Sequence, residues 1–211
     1  MTPLVAAFAI LGLGVGLAAD RLAARWPVHE DGGVRRPDWR TAALVVGGAA
    51  AFAALAARWS EPGHLAVLGA YFAALLVLAA TDLDQKLLPD LITLPLIPVA
   101  LLLVLLDLDP LLAGKEMPLA SALLAGFGAP AILFVLDRLL RGALGAGDLK
   151  LAVGLGLMSG VTRLFGGFVT ASIASAAVIL VLIAARRITL RSAIPFGPIL
   201  IAGGILAALV P

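Results

Sequence analysis

Apolar residues in this chain come in long unbroken runs separated by short polar stretches, at 3–19, 41–57, 64–81, 91–106, 118–136, 149–162, 164–185 and 196–210. Each run approaches the length of about 20 residues that a helix needs to cross the hydrocarbon core of a bilayer. The runs are continuous rather than alternating, which predicts helices and argues against a barrel of strands. No fixed-period repeat and no long Pro/Ser linker divides the chain, so residues 1–211 are read as one domain, with a short loop at about 26–40. The expected fold is all-α: a polytopic integral membrane protein with about eight transmembrane helices. The first run is read as a retained helix, because Met1 to Pro3 carry no basic side chain and the arginines follow the apolar stretch.

Composition strengthens this picture. Hydrophobic residues make up 62% of the chain and charged residues 13%, with a mean hydropathy of +1.12, which leaves too little polar surface to cover a soluble globule. There is no cysteine, so disulfides, thiolate nucleophiles and Cys-ligated zinc are excluded. The net charge of +2 is slight, and the expected environment is the lipid bilayer, with no nucleic-acid partner.

Charge placement orients the chain, since Lys and Arg collect at cytoplasmic span ends. With both termini outside, Arg21, Arg25, Arg35, Arg36, Arg40, Lys86, Arg138, Arg141, Lys150, Arg186, Arg187 and Arg191 are cytoplasmic, and only Arg58, Lys115 and Arg163 are external. If residues 149–162 turned back instead of crossing, that balance of twelve to three would weaken to ten to five. Eight crossings are therefore expected.

Two carboxylates stand where a bilayer makes charge expensive. Asp82 closes the third run, in Thr81-Asp82-Leu83-Asp84-Gln85-Lys86-Leu87-Leu88-Pro89-Asp90, and Asp148 opens the sixth, in Gly145-Ala146-Gly147-Asp148-Leu149-Lys150-Leu151. The topology puts both on the cytoplasmic side. Brought together, two such groups divide the work of peptide hydrolysis, one taking a proton from water and the other polarising the scissile carbonyl. Like charges a few ångströms apart do not both ionise cheaply, so the pair shares a proton. Gly145 and Gly147 allow a positive φ or a close backbone approach.

Simpler roles compete. Asp148 suits a helix N-cap, Asp82 an interfacial carboxylate, and Asp90 a position after Pro89 where it caps the next helix and meets its dipole. Lys150 lies on a different helical face from Asp148 and reads as an inner-surface anchor. His29 and His64 read as loop residues. No metal is expected: a calcium loop starting at Asp82 fails at its sixth and twelfth places, Leu87 and Thr93. No cofactor is expected either, since the glycines lack the spacing and the preceding strand of a dinucleotide site.

Taken together, these residues resemble the type IV prepilin peptidases, membrane aspartic proteases of the GxGD group. The resemblance rests on Asp82 followed by Leu88-Pro89-Asp90 and Leu91-Ile92-Thr93-Leu94-Pro95-Leu96, on Gly145-Ala146-Gly147-Asp148-Leu149-Lys150-Leu151, and on Pro195-Phe196-Gly197-Pro198. It implies that Asp82 and Asp148 are the catalytic pair, supported by the motif residues Gly145, Gly147, Lys150 and Asp90. It also implies that the substrate is the leader of a type IV prepilin or pseudopilin, cut at the cytoplasmic face of the inner membrane.

In many bacterial members a cytoplasmic domain with paired cysteines follows the first helix, whereas residues 26–40 here form a short loop without cysteine. The resemblance therefore brings in S-adenosylmethionine only if the family's methyl transfer is retained. The competing readings are a proton- or cation-coupled transporter that uses the aspartates as a relay, and a scaffold that packs through its small residues and needs neither aspartate.

Overall fold

The computed structural model of the chain describes residues 2–28, 33–139, 144–184 and 196–210. His29, Arg141, Arg186, Arg187, Arg191 and Pro195 lie outside these residues. The described residues form seven helices: α1 (Pro3–Ala23), α2 (Trp39–Arg58), α3 (Pro62–Gln85), α4 (Asp90–Leu105), α5 (Pro118–Leu139), α6 (Ala146–Ala184) and α7 (Gly197–Leu209). Five of them, α1, α2, α3, α5 and α6, are long and apolar enough to cross a membrane. Large apolar side chains such as Ile10, Leu91, Phe165 and Leu180 cover the outside, while Asp20, Thr81, Asp82 and Asp148 are buried. That inversion of the water-soluble pattern fits a multi-pass membrane protein.

Seven helices stand where eight runs are expected, because the runs 149–162 and 164–185 both fall within α6. They are not one straight rod. Gly160 has φ 64° and ψ 178°, a region that is essentially reserved for glycine. There α6 breaks into an ascending arm, 146–159, and a returning arm, 161–184. The reversal shows in the contacts: Leu155 on the first arm and Phe168 on the second both pack near α7, against Gly204 and Gly203. The Ser121 hydroxyl accepts the Val161 N–H at 3.1 Å and holds the turn against α5. A Cβ at Gly160 would lie 2.6 Å from both Leu112 Cδ2 and Ser121 Oγ. Gly160→Ala is therefore expected to destabilise the protein by about 1–3 kcal/mol, read as a lower thermal midpoint in detergent.

Helix ends follow local chemistry. Thr2 caps α1, with Pro3 at the first helical position. Asp38 and Thr41 form a capping box at the start of α2. Lys86 ends α3 in the left-handed conformation at φ 55°, its N–H returning to the Asp82 carbonyl. α1 and α2 touch backbone to backbone, since a Cβ at Gly48 would fall 2.5 Å from the Gly12 carbonyl oxygen. Small residues thus permit the close packing typical of membrane helices.

Two ends of the bundle differ. At one, the Trp59 indole donates to the Ala208 carbonyl at 2.9 Å and Arg163 donates to the Val210 carbonyl at 2.8 Å. Asp109, in the connection between α4 and α5, is also buried; its Oδ1 accepts the Leu111 N–H at 2.8 Å. Burial pushes the Asp109 carboxyl up to about 7, against the opposing pull of the Leu111 and Leu112 N–H groups and Arg163. A raised folded-state value means that the folded protein holds this proton more tightly than the unfolded chain. Stability is then greatest below about pH 4 with respect to this group and falls as pH rises toward about 7, by up to a few kcal/mol. Thermal midpoints across that range are expected to fall in the unaltered protein and to flatten in Asp109→Asn.

Candidate active site

The opposite end of the bundle collects the polar residues. Asp82 sits in the last turn of α3, which continues to Gln85, four residues beyond the expected end of the run. It is 6% exposed, and its Oδ2 has no hydrogen-bond partner among the described residues. Asp148 is 9% exposed and close enough for its charge to act on Asp82. The two aspartates expected to work together, 66 positions apart in sequence, are thus neighbours in the fold.

Asp148 is not the N-cap, which corrects the simpler reading. α6 begins at Ala146, so Asp148 is its third residue. From there its Oδ2 takes the Gly145 N–H at 3.0 Å, while its own N–H donates to the Gly145 carbonyl at 3.0 Å. This is the reciprocal half of a capping box, in a place where the helix dipole favours an anion. One oxygen is thereby held and the carboxylate is oriented.

The glycines act by making room, since neither Gly145 nor Gly147 has a positive φ. A Cβ at Gly147 would stand 2.9 Å from Leu88 Cβ, so Gly147 lets the segment after Asp82 lie against the start of α6. A Cβ at Gly197 would be 2.8 Å from Cγ, Oδ1 and Oδ2 of Asp82. The first residue of α7 is therefore packed directly on the Asp82 carboxylate.

Asp90 and Lys150 are joined. Lys150 Nζ donates to Asp90 Oδ1 at 2.7 Å and to Oδ2 at 2.8 Å. Asp90 is the first residue of α4 and makes no capping bond from there; Pro89 holds the cap position. The dipole part of the expectation stands and the capping part is replaced by an ion pair between the starts of α4 and α6. The pair is half exposed, which limits it to about 0.2–1 kcal/mol.

Asp84 turns away from Asp82 into a second polar cluster. Arg35 Nε and Arg40 Nη1 each lie 2.8 Å from Asp84 Oδ1, and the Asp84 side chain is buried rather than part of an open turn. Arg35 also pairs with Asp20 and Asp38. Asp20 is fully buried in α1, where it pairs with Arg21 and accepts the Thr41 hydroxyl at 2.9 Å. This cluster ties the ends of α1, α2 and α3 together beside Asp82. Sequence reasoning missed it; the available signal was an aspartate directly after the first apolar run and followed at once by Arg21.

Among known proteins, the profile of the type IV leader peptidase family matches residues 69–183, a stretch that contains both Asp82 and Asp148. The chain belongs to the type IV leader peptidase family. It is 37% identical over 159 residues to a prepilin leader peptidase/N-methyltransferase of Burkholderia pseudomallei, covering 74% of this chain and 50% of that protein. It is 35% identical over 151 residues to the protein of the same name from Dickeya chrysanthemi, covering 68% of this chain and 50% of that protein. The chain thus spans about half the length of these curated relatives. No solved structure matches it.

Proposed function

We propose that this protein is a membrane-embedded aspartic endopeptidase that removes the N-terminal leader of type IV prepilins or pseudopilins. The observation that carries this reading is that Asp82 and Asp148, both buried, lie within electrostatic reach of each other at the end of the bundle where α7 starts against Asp82. Family membership supports the substrate class. The ionised member of the pair takes a proton from a water whose oxygen attacks the scissile carbonyl carbon, and the protonated member hydrogen-bonds the carbonyl oxygen. Collapse of the tetrahedral intermediate breaks the C–N bond, and the proton first taken from water passes to the leaving amine.

The site works at the cytoplasmic face of the inner membrane in this reading, within a single transmembrane domain that crosses eight times with both α6 arms spanning. The clustering of Arg21, Arg35, Arg40 and Lys150 at the Asp82 end supports that orientation. A transporter relay fits less well, because both aspartates sit at helix ends rather than near a midplane between repeated halves.

The decisive experiment incubates the detergent-purified protein with a prepilin and reads the product by mass. Loss of the leader is expected, with no added methyl when S-adenosylmethionine is supplied; an intact prepilin would refute the peptidase. Reporters fused after residue 40, 86 or 141 should read cytoplasmic and those after 61 or 112 external.

A further inference from the structure

An apolar groove of about 350 Å³ lies between α5 and the returning arm of α6, floored by the ascending arm and α7. Leu124, Ile132 and Phe165 stand at its rim, each more than 60% exposed, while Leu155, Ala152 and Leu200 form a buried floor. The floor leads to the aspartates from two sides. Ala152 is one helical turn beyond Asp148, and Leu200 is one turn beyond Gly197, which packs on the Asp82 carboxylate. A second groove, lined by Tyr71, Leu96, Gly154 and Met158, lies farther off: on α6 it comes no nearer than Gly154, about 9 Å of helix from Asp148, and on α3 it stops at Tyr71, about 16 Å of helix short of Asp82.

Building on the peptidase reading, we infer that the groove between α5 and the returning arm holds the apolar helix of the substrate and delivers its amino-terminal end to Asp82 and Asp148. The lining is apolar throughout, so an extended backbone there would leave its N–H and C=O groups without partners, whereas a helix satisfies its own. The α5 wall from Leu124 to Leu133 is about 14 Å long, room for roughly nine residues of helix. Beyond Ala152 and Leu200 the surroundings become polar, and there the chain can unwind and expose a peptide bond. The groove exists because Gly160 turns α6 back on itself, so the same break that shapes the fold shapes the seat.

Gly128 lies on the α5 wall, and a Cβ built there meets nothing within 4 Å. Gly128→Leu should therefore fill the groove without displacing a neighbour. Gly47→Leu, at an equally open position on α2 away from the groove, is the control. Each purified variant is assayed on two substrates, a prepilin with its apolar helix and a soluble peptide containing only the leader and cleavage site. The expected result is a fall of about tenfold, or about 1.4 kcal/mol, in the prepilin-to-peptide ratio of kcat/KM for Gly128→Leu, expressed through KM, with the ratio unchanged for Gly47→Leu. An unchanged ratio in Gly128→Leu, or an equal loss on both substrates, overturns the inference. A direct readout uses photoreactive benzoylphenylalanine in place of Phe165: crosslinks to the prepilin helix support the seat, and crosslinks to lipid or to a second copy alone reject it. If the unaltered protein cuts neither substrate yet position 165 still crosslinks to the helix, the peptidase reading fails while the binding seat stands.

Discussion

Asp82→Asn and Asp148→Asn are each expected to abolish leader removal while leaving the protein folded and at normal levels in the membrane. Asn keeps the shape of the carboxylate and loses its proton chemistry, and a positioned acid or base contributes about 10²–10⁴-fold to such a step. Neighbouring acids supply the contrast. Asp84 faces Arg35 and Arg40 rather than Asp148, so Asp84→Asn should stay active and lose thermal stability as its ion pairs weaken. Asp90→Asn should lose part of its activity, because the link from α4 to Lys150 and hence to the start of α6 is loosened. The four variants are compared at equal membrane levels in one prepilin cleavage assay. Robust cleavage by Asp82→Asn beside a dead Asp84→Asn would mean that another carboxylate works with Asp148.

Gly197→Ala is expected to cost about 10²-fold in kcat, the scale of a misplacement of about 1 Å in a reacting group. The added methyl would sit 2.8 Å from three atoms of the Asp82 carboxyl group, well inside contact distance, so either the carboxylate or the start of α7 must move. Phe196 packs against Phe168 with ring centroids 6.1 Å apart, which ties the start of α7 to the returning arm of α6 and leaves the carboxylate as the easier group to displace. Thermal unfolding and cleavage measured on the same preparation separate the two effects. Wild-type turnover from Gly197→Ala would show that Asp82 tolerates displacement and that the contact is packing only.

Much of this was legible in the sequence for a physical reason. Long apolar runs have few solutions in a bilayer other than helices, because the backbone must satisfy its own hydrogen bonds there, and the seven helices follow those runs. Asp82 and Asp148 stood out because a carboxylate at the edge of an apolar run is expensive and needs a purpose. A helix turns roughly 200° between residues 82 and 84, which points the two aspartates in different directions, and their opposite surroundings in the fold agree with that spacing.

Other features depend on contacts between segments far apart in sequence, which no local pattern encodes. The runs at 149–162 and 164–185 announce two stretches, yet only the backbone at Gly160, wedged against Leu112 and Ser121, shows how one reverses into the other. Lys150 and Asp90 each had a sound local role as anchor and cap, and their pairing across 60 residues took precedence because an oppositely charged group came within 2.7 Å. Asp20 is tolerable in full burial only because Arg21, Arg35 and Thr41 converge on it from three segments. Hydrophobic length and residue chemistry were enough to establish the membrane-helical character and to single out the two carboxylates and the motifs around them. That Gly197 presses on Asp82, that Asp148 is held from the third position of its helix, and that an apolar groove opens one helical turn from Asp148 are visible only in the fold, because each is a matter of which surfaces meet.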